Sequence, residues 1–180
     1  MPEVVVVGFK ANIHRASGVL DELRVLDDKW IRDLSEAVAL HRQNNGLVKM
    51  DQTYKPTGRR APDGGGTIGL LIGASLSIPY LEDSSQSVSE GVLAASGLAR
   101  IGIAGVEASF WNDTLGIRES FFEQAGQVVL PGDSAIFAML EVLDSGFAAT
   151  RFQRYGGTIL SLSISDQQQM MMQRLIKDSS

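Results

Sequence analysis

Residues Gly64-Gly65-Gly66-Thr67-Ile68-Gly69 satisfy the G-x-G-x-x-G spacing that can cradle a dinucleotide pyrophosphate. That chemistry needs a tight turn from a strand into a helix, and an acidic residue about 20 positions on to hold the ribose. Glu82 and Asp83 fall near that distance, but a Pro62-Asp63 loop precedes the glycines where a strand is required. Helix packing is the better reading. Gly73-Ala74-Ser75-Leu76-Ser77 lacks the final glycine of a nucleophile elbow, and no strand leads into it, so serine chemistry is not supported.

His14 and His41 are far apart and sit on different expected elements, neither with a ligand partner at helical spacing, so metal ligation is not nominated. Asp27, Asp28 and Asp33 lack a glycine-containing loop of alternating oxygen donors and read as a solvated connection. A sheet that binds single-stranded RNA carries aromatic residues beside basic ones. Residues 4–7 and 135–139 offer no such platform, and Arg59-Arg60 is the only basic pair nearby. The Gln167-Gln168-Gln169-Met170-Met171-Met172 run reads first as ordinary helix packing, with a partner-docking face as the sharper alternative. No catalytic, cofactor-binding or metal residue emerges. The expectation is a protein that is not an enzyme, with no cofactor and no nucleic-acid partner.

The elements are more legible. Residues 4–9 form an apolar run suited to a strand buried on both faces. Asn12 can cap a helix carrying Ala16, Val19, Leu20, Leu23 and Leu26 on one face. Residues 37–42 and 47–54 flank Asn44-Asn45-Gly46 and predict a β-hairpin. Asp113 can cap a helix through Ile117, Phe121 and Phe122 that ends near Gly126. Pro131-Gly132 turns into a strand at 135–141. Asp144 opens a helix through Phe147, Ala148, Phe152 and Tyr155, and Gly156-Gly157 stops it. Residues 158–164 are the last strand. Ser165 with Gln168 is a capping-box signature, opening a helix with Met171, Met172, Leu175 and Ile176 on one stripe. Two βαβ halves of this size predict a ferredoxin-like α+β sandwich with right-handed crossovers and helices on one face.

Residues 64–110 interrupt that plan. Gly65, Gly69, Gly73 and Ser77 recur every fourth residue, and Gly91, Ala95 and Ala99 repeat the device. On a helix this makes a smooth stripe that another helix can approach closely. Two arms, 65–80 and 88–110, joined by a polar turn at Glu82-Asp83-Ser84-Ser85, predict a Gly/Ala-rich α-helical hairpin inserted in a single domain spanning 1–180. Leu70, Leu71, Ile72 and Ile78 point away from the stripe and would stay wet on an isolated hairpin. That favours self-association through Gly65, Gly69, Gly73, Ser77, Gly91, Ala95 and Ala99, giving a homo-oligomer. The uncharged run from Gly64 to Leu81 only nominally reaches the ~18 residues of a membrane span. Glycines and Pro79 shorten it, and Arg100 interrupts the second arm. Membrane association is therefore the second reading.

Composition agrees. The hydrophobic share of 44% and charged share of 21% are globular, and the net charge of −5 disfavours nucleic acid. The absence of cysteine fits a reducing cytoplasm, and Met1-Pro2-Glu3 leads into Val4 without the basic region of a signal peptide.

Four blocks carry a resemblance. They are the first strand and helix with Val19-Leu20-Asp21-Glu22-Leu23 and Glu36-Ala37-Val38; the Gly-rich insertion; Asp113-x-x-Gly116-Ile117, Phe121 and Leu130-Pro131-Gly132-Asp133-Ser134-Ala135-Ile136-Phe137; and Gly156-Gly157-Thr158 with Leu162-Ser163-Ile164-Ser165. Together they resemble the bacterial domain-of-unknown-function family numbered 1269, whose members are often labelled membrane proteins. The most specific piece is the Pro131 to Ala135 block. Arg118 and Glu119 stand where the family usually carries an acidic pair, and the insertion here is longer and more polar. The resemblance implies a fold and no reaction.

Overall fold

The computed structural model describes residues 2–25, 34–54, 64–76, 81–82, 115–141 and 147–178. Its elements run β1 (Pro2–Phe9), α1 (Arg15–Val25), β2 (Leu34–Arg42), β3 (Val48–Tyr54), α2 (Gly64–Leu76) and β4 (Leu81–Glu82). They continue with α3 (Glu119–Gln127), β5 (Ser134–Glu141), α4 (Phe147–Phe152), a 3₁₀ turn (Gln153–Tyr155), β6 (Thr158–Ser163) and α5 (Asp166–Asp178). The sheet order is β4-β3-β2-β5-β1-β6. Five strands pair antiparallel, and the two-residue β4 joins β3 in parallel.

The three apolar segments expected to share a sheet do so, as β5, β1 and β6. Alternation along β1 explains the layering, because successive side chains leave a strand on opposite faces. Val4 and Val6 enter one core with Leu40, Phe137, Leu71, Phe121 and Met172; Val5 and Val7 enter another with Leu20, Ile136 and Phe152. Helices α1 and α4 cover the second face, while α2, α3 and α5 contribute to the first. The fold is therefore a mixed α+β domain covered on both faces. This corrects the expectation of helices on one face, and the cause is α2. Its apolar residues surround the helix, so the run Thr67 to Gly73 is buried as a layer element.

The insertion needs the same correction. Ile68, Leu70, Leu71 and Ile72 are each at most 1% exposed within one subunit. They are not left wet. Helix α2 ends at Leu76, and Glu82, expected in a polar turn, instead belongs with Leu81 to a short strand that pairs with β3. The second arm, with Gly91, Ala95 and Ala99, lies outside the described residues, as do Ser77, Asp113 and Asp144. Helix α3 starts at Glu119, with Ile117 still ahead of it, because Gly116 turns the chain at φ +67°.

The local stops are where sequence placed them. Gly132, Gly156 and Gly157 adopt φ of +91°, +76° and +88°. Ser165 Oγ accepts from Gln168 N–H at 3.1 Å, and Gln168 Oε1 accepts from Ser165 N–H at 2.8 Å. That reciprocal pair is the capping box.

Candidate functional site

A polar cluster of the described residues lies where the turn after β1 meets the start of β5. Asp133, 5% exposed, follows the Pro131-Gly132 turn, whose Gly132 N–H bonds Arg42 O at 2.8 Å. Its Oδ2 accepts from Lys10 Nζ at 2.8 Å and Leu130 N–H at 3.0 Å, and its Oδ1 from Ala11 N–H at 2.8 Å. Burial pushes the Asp133 pKa up. The Lys10 hydrogen bond, the two N–H donors and the Lys10 charge outweigh it, so the carboxyl titrates below its ordinary value. Ala11 presents its N–H from the left-handed region at φ +53°, a conformation unusual for a side chain with a β-carbon.

Ser134 extends the cluster. Its Oγ donates to Asn12 O at 2.6 Å and accepts from Ala16 N–H at 3.1 Å. Asn12, expected as the helix cap, accepts from His14 N–H, one residue ahead of α1. The amide inside the first turn is satisfied from β5 instead. Sequence could not show this, because the donor and acceptor are 118 positions apart. Lys10, Asp133 and Ser134 thus lock three chain segments together; they form no nucleophile–base pair.

The second feature is an open groove of about 760 Å³ on the α2–α3 side, reaching Arg42, Thr158 and Leu160. Leu76, Val128 and Leu160 supply apolar wall, and Glu123, Gln124 and Gln127 supply polar atoms. Arg42 already donates from Nε to Gly46 O and from Nη1 to Val129 O. Ser75 Oγ is buried with no hydrogen-bond partner among the described residues. Neither histidine lines this groove. Its described residues assemble no acid–base machinery.

His41 is brought to Asp51 across the β2–β3 hairpin, Nδ1 2.9 Å from both carboxylate oxygens. Helical spacing rules could not find this pair. His14 is exposed. Among the described residues no cluster of metal-ligand type occurs. The G-x-G-x-x-G glycines open α2, and the run Thr67 to Gly73 within it is buried. Of the self-association residues, Gly65, Gly69 and Gly73 fall in α2, with Gly69 and Gly73 buried. The terminal helix uses its polar run internally. Gln168 Nε2 donates to Leu115 O at 2.9 Å and Gln173 Nε2 to Thr67 Oγ1 at 3.0 Å. Met172 is core and Met170 is 60% exposed.

Fold and site together define a mixed α+β domain whose polar clusters are structural locks. A family model described as a protein of unknown function, DUF1269, matches residues 63–177, and the chain belongs to that family. The matched region takes in the Gly-rich helix, the Pro131 to Ala135 block and α5, while β1, α1, β2 and β3 precede it. No curated protein and no solved structure matches the chain.

Proposed function

We propose that this protein is a non-enzymatic, cytoplasmic assembly module that binds a second copy of itself, with the small-residue stripe of residues 64–110 as one contact. The sheet core supports a ferredoxin-like reading. β1-α1-β2 and β5-α4-β6 are two βαβ units whose strands interleave as β2-β5-β1-β6, all antiparallel, with β3 and the insertion added between them.

The observation that supports self-association is the recurrence of the small-residue spacing at Gly91, Ala95 and Ala99, since Gly69 and Gly73 are already buried within one subunit. At about 100° per residue, both lie on a side of α2 distinct from Ser75, which meets α3, and from Thr67, which meets α5. Small residues on that third side let α2 sit deep in its own subunit, and the same spacing at Gly91, Ala95 and Ala99 is the stripe offered to the second copy.

Light scattering in detergent-free buffer tests this, comparing the wild type with a Gly91→Leu, Ala95→Leu variant checked for folding by circular dichroism. The expected result is a wild-type mass above one chain and a smaller mass for the variant. A monomeric wild type overturns the reading. Co-sedimentation with anionic lipid vesicles would instead favour the alternative, a hairpin lying on a bilayer. Among the described residues no helix is long and apolar enough to cross one.

A further inference from the structure

Strand β6 ends the sheet, pairing with β1 on one side and with no described strand on the other. Its sequence, Thr-Ile-Leu-Ser-Leu-Ser, contains no charge and no proline. Those are the usual guards of an open edge, which otherwise offers a row of free N–H and C=O groups to any passing chain. The opposite side of the sheet is treated differently. There β3 carries Lys49 and Asp51 and is capped by the short β4.

The backbone phase of β6 follows from one bond. Ile164 N–H donates to Pro2 O at 2.9 Å, which makes Ile164 and Pro2 a hydrogen-bonded pair. Alternation along an antiparallel ladder then turns the backbone groups of Leu162, Leu160 and Thr158 inward to Val4, Val6 and Gly8. Ile159, Ser161 and Ser163 turn theirs outward.

We propose that this edge pairs with β6 of a second copy, antiparallel, about a twofold axis at Ser161, so that one sheet runs through two subunits. Only this centring matches all three outward residues. Ser161 meets the partner's Ser161, and Ile159 meets the partner's Ser163. Leu160 then faces the partner's Leu162 as a non-hydrogen-bonded pair, where side chains come closest. Both leucines are half-buried against the first core, and the pairing covers what they still expose.

Charge selects the same direction. Arg151 and Arg154 are exposed just before β6, and Asp166 is exposed just after it. Antiparallel pairing brings the basic end of one copy to the acidic end of the other, whereas parallel pairing would oppose like charges. This surface lies outside residues 64–110 and shares with the preceding reading only the identity of the partner.

Four variants test it, each read by native mass spectrometry and light scattering with circular dichroism as a folding check. Ser161→Pro removes one outward N–H and leaves the β1 ladder intact; it should abolish the dimer. Ser161→Lys and Ser161→Glu each place like charges opposite across the axis and should weaken the dimer about tenfold. Mixing the purified Ser161→Lys and Ser161→Glu variants brings opposite charges together and should restore a mixed dimer. Gly91→Leu should leave this contact unchanged. A monomeric wild type, or a dimer indifferent to both Ser161→Pro and Ser161→Lys, overturns the proposal. Assembly broken by Gly91→Leu and indifferent to every Ser161 variant would overturn it while sustaining the stripe.

Discussion

Gly126 in α3 lies so close to the carbonyl oxygen of Ser75 in α2 that a β-carbon at 126 would stand 2.7 Å from it. The two helices meet backbone to backbone at this point. The glycine that permits the contact belongs to α3, outside the small-residue stripe.

Gly126→Ala tests whether that closeness matters. Alanine is intrinsically the better helix former by about 1 kcal/mol, so a net loss of stability can come only from the overlap with Ser75. The expected outcome is destabilisation of about 1–3 kcal/mol in urea melts, because a fixed backbone carbonyl has little room to move.

Asp133 should make stability depend on acid. Its folded pKa lies below the unfolded value of about 3.9, so its stabilising effect is complete at higher pH and is lost as pH falls through the folded pKa. Asp133→Asn should cost about 1–3 kcal/mol near neutrality, since the Lys10 ammonium and two N–H donors lose their ionised acceptor. The gap between wild type and variant should close below about pH 4 in denaturant titrations.

Gln168→Ala removes half of the capping box together with the bonds to Leu115 O and Gly116 O. A loss of about 1 kcal/mol is expected, with faster hydrogen exchange at Ser165 N–H. Ser165→Ala should have a similar effect on α5 but leave the tie to Leu115 in place.

Leu71 is fully buried and should behave as core. Leu71→Ala should cost about 2–5 kcal/mol in thermal or urea melts. Met170→Ala, at an exposed position of α5, should stay within about 0.5 kcal/mol of wild type.

What sequence revealed was local. The valine run of β1, the Ser165 and Gln168 cap, and the turns at Gly132 and Gly157 depend on neighbours a few positions away, and each stands where its residues placed it. What sequence concealed was the company each element keeps. Leu70 and Leu71 look wet only if α2 is imagined alone; the sheet, α3 and α5 bury them. Ser134 reads as an ordinary strand residue until β5 brings it to Ala16 at the start of α1. His41 and Asp51 become partners only because a hairpin folds β3 back on β2. The groove beside Ser75 draws on β2, α2, α3 and β6 together, and no single stretch of residues announces it.

The order β2-β5-β1 has a consequence for how the chain is made. β1 and β2 leave the ribosome early, but the strand that belongs between them begins only at Ser134. Until it arrives, Val5, Val7, Ala37 and Ala39 border an empty central slot, and closing it means gathering the long excursion that carries β3, α2 and α3. Such distant pairings form slowly and leave edges open to wrong partners meanwhile. The nascent protein is therefore a frame awaiting its keystone, and its exposure to misassembly ends when β5 slides home.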